Sequence, residues 1–167
     1  MGAGKSKVGV LVAERLGRPF VDTDDLIEAA AGRTIPGIFA SDGEAAFRRM
    51  ETEAIARALA GCPGVLALGG GAPTREENWA LLRRADAFVI YLRADPETIL
   101  ERLADHDDRP LLAGLDRPAM LAKIVRMLAE REPSYLRADL VIPSDDLRDK
   151  SAMADAVIAH LTAAGDP

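Results

Sequence analysis

Gly2-Ala3-Gly4-Lys5-Ser6 reproduces the second half of the phosphate-loop pattern G-x-x-x-x-G-K-[ST]. In such a turn, glycines let successive backbone N–H groups curl around phosphate oxygens, and the helix that follows adds its positive end. Val8 to Leu16 has the apolar spacing of that helix, and Gly17 ends it. The pattern gives Lys5 the β- and γ-phosphates and gives the Ser6 hydroxyl a bound Mg2+. Five positions alone leave a chance glycine-rich terminus as the alternative, so the rest of the chain has to decide.

Outward from the loop, short apolar runs alternate with helix-period segments. Pro19-Phe20-Val21 reads as a strand, followed by a helix near Asp25 to Ala31. Glu44 to Ala60 is a strong helix with Phe47, Met50, Ala54 and Ala58 along one face. Gly64 to Leu68 reads as a buried strand stopped by Gly69-Gly70-Gly71, and Thr74-Arg75-Glu76-Glu77 as a capping box opening a helix through Arg84. Ala87 to Leu92 is the clearest strand, and Asp95-Pro96 opens the next helix with proline at its favoured first position. A polar loop over Asp105 to Asp116 precedes a long helix ending near Pro133, a strand at Leu140-Val141-Ile142, and a last helix from about Lys150 to Thr162. Strands separated by helices predict an α/β fold with a parallel sheet covered on both faces.

Composition narrows the class. The chain has 167 residues, the size of one domain, and is 49% hydrophobic and 29% charged, which excludes a disordered tail. One cysteine, Cys62, rules out a disulfide framework and fits a reducing cytoplasm. No apolar run approaches a membrane span. With 21 basic against 27 acidic residues, a net charge of -6, the balance argues against a general nucleic-acid binder. Anionic small substrates remain open, provided basic groups converge on them locally.

Several polar residues fall where an α/β sheet binds ligands, just past the carboxyl ends of strands. Asp22-Thr23-Asp24 follows one strand, so Asp22 can face a Mg2+ shell while Asp24 meets a substrate hydroxyl; the alternative is helix capping, which Asp25 can also fill. Gly69-Gly70-Gly71 follows another and lacks dinucleotide spacing; three residues without side chains let a small ligand touch the backbone. Arg48 and Glu51 stand at i and i+3, a solvated surface pair unless a carboxylate ligand reaches Arg48. Arg109, in the 105–116 loop, reads as a lid arginine or a solvated one, and Arg131 as a ligand clamp or an answer to the helix dipole. Arg102 reads at this level as a surface residue of its helix.

Taken together, Asp22-Thr23-Asp24, Phe47-Arg48-Arg49-x-Glu51, Gly69-Gly70-Gly71, Arg109-Pro110-Leu111-Leu112 and Arg131-x-Pro-x-Tyr135 resemble the shikimate kinases, as does Ile38-Phe39-Ala40-x-Asp42-Gly43-Glu44. The resemblance runs from Met1 to about Leu161. It implies a single domain over residues 1–167 with the fold of nucleoside-monophosphate kinases, a five-stranded parallel sheet with helices on both faces, a lid near 105–116 and a substrate-binding helical region over about 25–60. The implied reaction is ATP-dependent phosphorylation of the 3-hydroxyl of shikimate, in the cytoplasm, by a monomer that takes Mg2+ and uses neither nucleic acid nor membrane. The implied ATP contacts are Gly2, Ala3, Gly4, Lys5, Ser6, Lys7, Arg102, Arg109 and, most loosely, Arg148. Ser6 and Asp22 would hold the metal, and Asp24, Lys5 and Arg109 would carry the chemistry. Asp24, Arg48, Glu51, Gly69, Gly70, Gly71 and Arg131 would hold shikimate.

Two departures accompany the resemblance. Lys7 stands where a second hydroxyl residue usually follows the loop serine. The strand that feeds the loop, central in the resembled sheet, is missing along with the first glycine. The expectation is a natural polypeptide that starts upstream, with about ten more residues comprising an apolar strand and a glycine. A gluconate-kinase-like enzyme and a ligand-binding protein without catalysis are the competing expectations.

Overall fold

A computed structural model describes residues 2–61, 64–103, 115–144 and 149–164. Helix α1 (Lys5–Leu16) starts earlier than its apolar spacing indicates, because Gly4, left-handed at φ 87°, turns the chain directly into it. Gly17, at φ 62°, closes it by donating to the carbonyls of Ala13 and Glu14.

Strand β1 (Phe20–Asp22) runs into helix α2 (Thr23–Ala31) without a loop. The helix begins two residues before the expected Asp25 because Asp22 itself is the N-cap, its Oδ1 accepting from the Asp24 amide at 3.0 Å. Helix α3 (Ile35–Gly61) absorbs the expected 44–60 helix and the stretch before it, with one break at Gly43 (φ 77°, ψ 172°). That backbone is one only glycine adopts readily, so the glycine re-aims the helix before Phe47 and Arg48.

Strand β2 (Val65–Ala67) leads through a 3₁₀ turn at Ala72–Thr74 to helix α4 (Glu76–Arg84). The expected capping box does not form. Thr74 spends its hydroxyl on the Gly71 carbonyl at 2.7 Å, Glu77 is taken by Arg75 and Thr52, and the N-cap is Arg75, without a side-chain cap bond. Strand β3 (Ile90–Arg93) is shorter than the expected 87–92 run. Val89 already turns aside, donating to Asp139 Oδ2 at 2.7 Å and accepting from the Asp139 amide at 2.9 Å. Helix α5 (Pro96–Leu103) opens with its proline, α6 (Arg117–Tyr135) is capped by Asp116, and strand β4 (Leu140–Pro143) precedes α7 (Lys150–Ala164).

The strands pair in parallel, β1 with β2 (Val21 opposite Leu66) and β3 with β4 (Tyr91 opposite Val141). Among the described residues these are two separate two-stranded sheets, not one continuous sheet. A main core gathers Val8 and Val12 of α1, Leu92, Ile99, Ile124, Ile142, Met153 and Val157. A second, smaller core of Ile27, Ile38, Phe47 and Ala54 fastens α2 to α3. The second core matters for the site, because it fixes the helix that carries Arg48. No helix among the described residues is long and apolar enough to cross a membrane.

Candidate active site

At one end of the molecule the glycine-rich turn meets the carboxyl ends of both sheets. Ser6 Oγ donates to Asp22 Oδ2 at 2.6 Å, tying the first turn of α1 to the end of β1. On the other side, Arg102 of α5 donates to the Gly2 carbonyl at 3.4 Å and to the carbonyl of Ser144, just past β4, at 2.7 Å. Arg102 is therefore built into the turn rather than being a surface residue. Lys150 also belongs here: its Nζ lies 3.2 Å from where a Cβ on Gly4 would stand. Burial, then Arg102 and Lys7, push the Lys150 ammonium below its ordinary pKa. Arg102, Lys7 and Lys150 thus crowd positive charge around Gly4 and the amino end of α1, an arrangement that an anion relieves. Ser6 Oγ and Asp22 Oδ2, side by side at 2.6 Å, are hard oxygen donors of the chemical kind Mg2+ takes.

Between Asp22 and Asp24, Thr23 is fully buried and does the joining. Its Oγ1 donates to the Ala67 carbonyl at 3.2 Å and accepts from the Gly69 amide at 3.0 Å. One side chain thereby locks the end of β1 to the end of β2 and brings Asp24 against the triple glycine. A Cβ added at Gly69 would stand 2.9 Å from Asp24 Oδ1 and 2.7 Å from Glu51 Oε1. A Cβ at Gly71 would overlap the Arg48 guanidinium. The three glycines are a groove through which Asp24, Glu51 and Arg48 approach the backbone. Gly70 faces α6, its carbonyl accepting from Arg131 Nη1 at 3.4 Å and from the Tyr135 hydroxyl.

Arg48 and Glu51 are not a solvated pair. Glu51 has a side chain 1% exposed and accepts from Arg48 Nη1 at 2.9 Å, while Glu44 holds Nη2 at 3.0 Å. Glu51 Oε1 is buried without a hydrogen-bond partner among the described residues. Burial pushes the Glu51 carboxyl above the ordinary carboxylate range; the Arg48 guanidinium opposes this, and Asp24 adds to it. For Arg48, burial disfavours the charge, but Glu51 and Glu44 together outweigh it and hold the guanidinium protonated. Arg49 points to solvent, as a surface residue should.

The structure thus brings Asp24, Arg48, Glu51 and Arg131 together around the triple glycine, and Ser6, Asp22, Lys7 and Arg102 around the glycine-rich turn. Arg109, Arg148 and the loop from 105 to 114 lie outside the described residues, as does Cys62. Three residues were not singled out as functional by sequence. Thr23 had a signal, its place between two candidate aspartates; Tyr135 had one in the Arg131-x-Pro-x-Tyr135 spacing; Lys150 had none, since nothing local ties it to a glycine 146 residues earlier.

The family model described as shikimate kinase matches residues 1–162. The chain belongs to the shikimate kinase family. A shikimate kinase of Symbiobacterium thermophilum is 47% identical over 99% of this chain and 94% of its own length. One from Nitrobacter winogradskyi is 52% identical over 88% of this chain and 67% of its own. Among solved structures, shikimate kinase from Acinetobacter baumannii in complex with shikimate superposes with a TM-score of 0.90, at 35% identity, covering 98% of this chain and 89% of that one. The shikimate kinase from Bacteroides thetaiotaomicron gives 0.89 at 29% identity over 97% and 93%. The P-loop kinase fold and a kinase activity follow from this membership.

Proposed function

We infer that this chain transfers the γ-phosphoryl group of ATP to the 3-hydroxyl of shikimate, releasing ADP. The observation that carries the reading is the pairing of Arg48 and Arg131 across the triple glycine, with Asp24 at its near end. Shikimate has one carboxylate and three hydroxyls, so its site needs a cationic clamp and hydroxyl acceptors in one groove. Two arginines meet the first need, each charged hydrogen bond contributing roughly 1.5–3 kcal/mol. Asp24 meets the second.

The division of labour follows from charge. A carboxylate is too weak a base to ionise an alcohol in advance. In a loose phosphoryl-transfer transition state the hydroxyl becomes acidic late, so Asp24 orients it and then accepts its proton. Lys5, at the amino end of α1, offsets charge on the transferring phosphoryl group, helped by the helix end itself. Ser6 and Asp22 are the residues that would hold Mg2+, which supplies charge neutralisation on the phosphates when bound. Arg109 as a lid arginine and Arg148 beside the adenine remain assignments by resemblance. Arg102 and Lys7 complete the cationic rim of the ATP side.

On this reading residues 1–167 act as one domain, as a monomer in the cytoplasm, with residues 25–60 carrying the acceptor side. The test is a substrate panel with coupled ADP detection. Shikimate should be turned over well above gluconate; equal or better turnover of gluconate would overturn the assignment.

A further inference from the structure

Lys150 opens α7, and the end of its side chain lies against the glycine-rich turn. Its Cε and Nζ both stand 3.2 Å from where a Cβ on Gly4 would be. Helix α1 holds the start of α7 in place. Arg15 donates to the Ser151 carbonyl at 2.9 Å and to the Ser151 hydroxyl at 2.6 Å, and it pairs with Asp155 at 3.1 Å. Behind these contacts Met153 and Val157 share the main core with Val8 and Val12. The ammonium thus reaches Gly4 from a fixed base.

Charge makes this an unfavourable place for it. A cation in the first turn of a helix opposes the helix dipole, and Lys150 in α7 and Lys7 in α1 both stand there. The charged groups that act on Lys150 are Arg102 and Lys7, both of its own sign. The neighbouring carboxylates have other partners: Asp149 accepts from the Ser151 amide at 2.8 Å, Asp155 holds Arg15, and Asp22 accepts from Ser6 and from the Asp24 amide. Among the described residues Lys150 has no hydrogen bond or ion pair of its own. A lysine turned to solvent would avoid all of these costs. Local structure that works against the free protein is the mark of a site kept for a ligand.

A phosphate anion reverses the sign of each cost. In a glycine-rich phosphate turn the backbone N–H groups hold the α- and β-phosphates, while the loop lysine, here Lys5, reaches the β- and γ-phosphates. Lys150 stands at Gly4, the backbone part of that cradle. Lys7, where a hydroxyl usually follows the loop serine, gives the same turn a full charge instead of a neutral donor. We propose that Lys150 is a nucleotide-binding residue: with Lys7 it clamps the α- and β-phosphates, the two that remain on ADP, and leaves the transferring phosphoryl group to Lys5. The clamp rests on the reading of ATP as the donor. Because both phosphates are common to substrate and product, Lys150 binds ATP and ADP alike and adds nothing specific to the transition state.

The test is calorimetric titration of the parent protein, Lys150→Met and Lys150→Arg with ATP, ADP and pyrophosphate, together with the melting temperature of each free protein. Methionine keeps the stem and removes the charge. Lys150→Met should weaken all three ligands by the same factor, about tenfold or more, and Lys150→Arg should keep most of the affinity. Free Lys150→Met should melt no lower than the parent, since it has lost only repulsion and an ill-placed charge. Unchanged affinities, a loss for ATP alone, or a lower melting temperature with an equal loss of shikimate affinity would overturn the proposal. Pyrophosphate held through Lys150 without binding of ATP would uphold the phosphate clamp and remove the donor reading. A parent protein that binds neither would overturn both.

Discussion

Arg48 and Glu51, one turn apart on α3, form an ion pair at 2.9 Å whose acidic partner is sealed from solvent and whose basic partner lies against Gly71. Gly71 has φ −92° and ψ −20°, a backbone open to any residue, so its lack of a side chain serves Arg48 and not the turn. The pair is held from below by the small core of Phe47, Ile27 and Ile38, and Phe47 also lies 5.3 Å from the Arg48 guanidinium. A guanidinium fixed on three sides is pre-organised for a planar carboxylate.

Removing that guanidinium should therefore act on the acceptor and not on the nucleotide. Arg48→Ala and Arg131→Ala should each weaken shikimate binding by a factor of about 10 to 150, the equivalent of roughly 1.5–3 kcal/mol. ATP affinity should change little. Calorimetric titration of both ligands checks this, and unchanged shikimate affinity in both variants would refute the clamp.

Gly71→Ala is a subtler version of the same experiment. The added methyl overlaps the Arg48 guanidinium and drives it from its place, which also strips the buried Glu51 of its partner, so the melting temperature should fall. With the guanidinium displaced, KM for shikimate should rise about tenfold or more. Gly61→Ala, where a Cβ meets nothing within 4 Å, is the control and should leave KM unchanged.

Asp24→Asn keeps the shape and removes the proton acceptor. It should lower kcat far more than it weakens ATP binding, since the nucleotide depends on the glycine turn and Lys5. A loss confined to ATP affinity would contradict the role given to Asp24.

Glu51 sets a pH dependence with a definite sign. Its carboxyl is raised in the fold by burial, so it contributes stability below the ordinary carboxylate pKa that is lost as pH rises through its folded pKa. Glu51→Gln cannot titrate. Urea unfolding at several pH values from 4 to 8, about the range in question, should show the variant gaining on the parent protein as pH rises. A stability difference independent of pH would contradict the direction assigned to Glu51.

Much of this site was legible in the chain because its chemistry is local. Lys5-Ser6 after two glycines, an aspartate pair after a strand, and a triple glycine after another each carry their reason within a few residues. What could not be read depends on distant partners. Asp22 serves as N-cap and Ser6 acceptor at once, so capping and function were never exclusive alternatives. Thr74 was drawn from its expected cap by the Gly71 carbonyl, and β3 was shortened by Asp139, fifty residues from Val89. Thr23, Tyr135 and Lys150 gain their significance only from the backbone they reach across the fold.

The most direct measurement of the central claim is the structure of the product. The protein, ATP and Mg2+ are incubated with shikimate, and the position of the new phosphoester is read by phosphorus–proton correlation in NMR. The account predicts a single product with phosphate on the 3-hydroxyl and one ADP formed per ester. Phosphate on another hydroxyl, or shikimate returned unmodified while gluconate is phosphorylated, would contradict it.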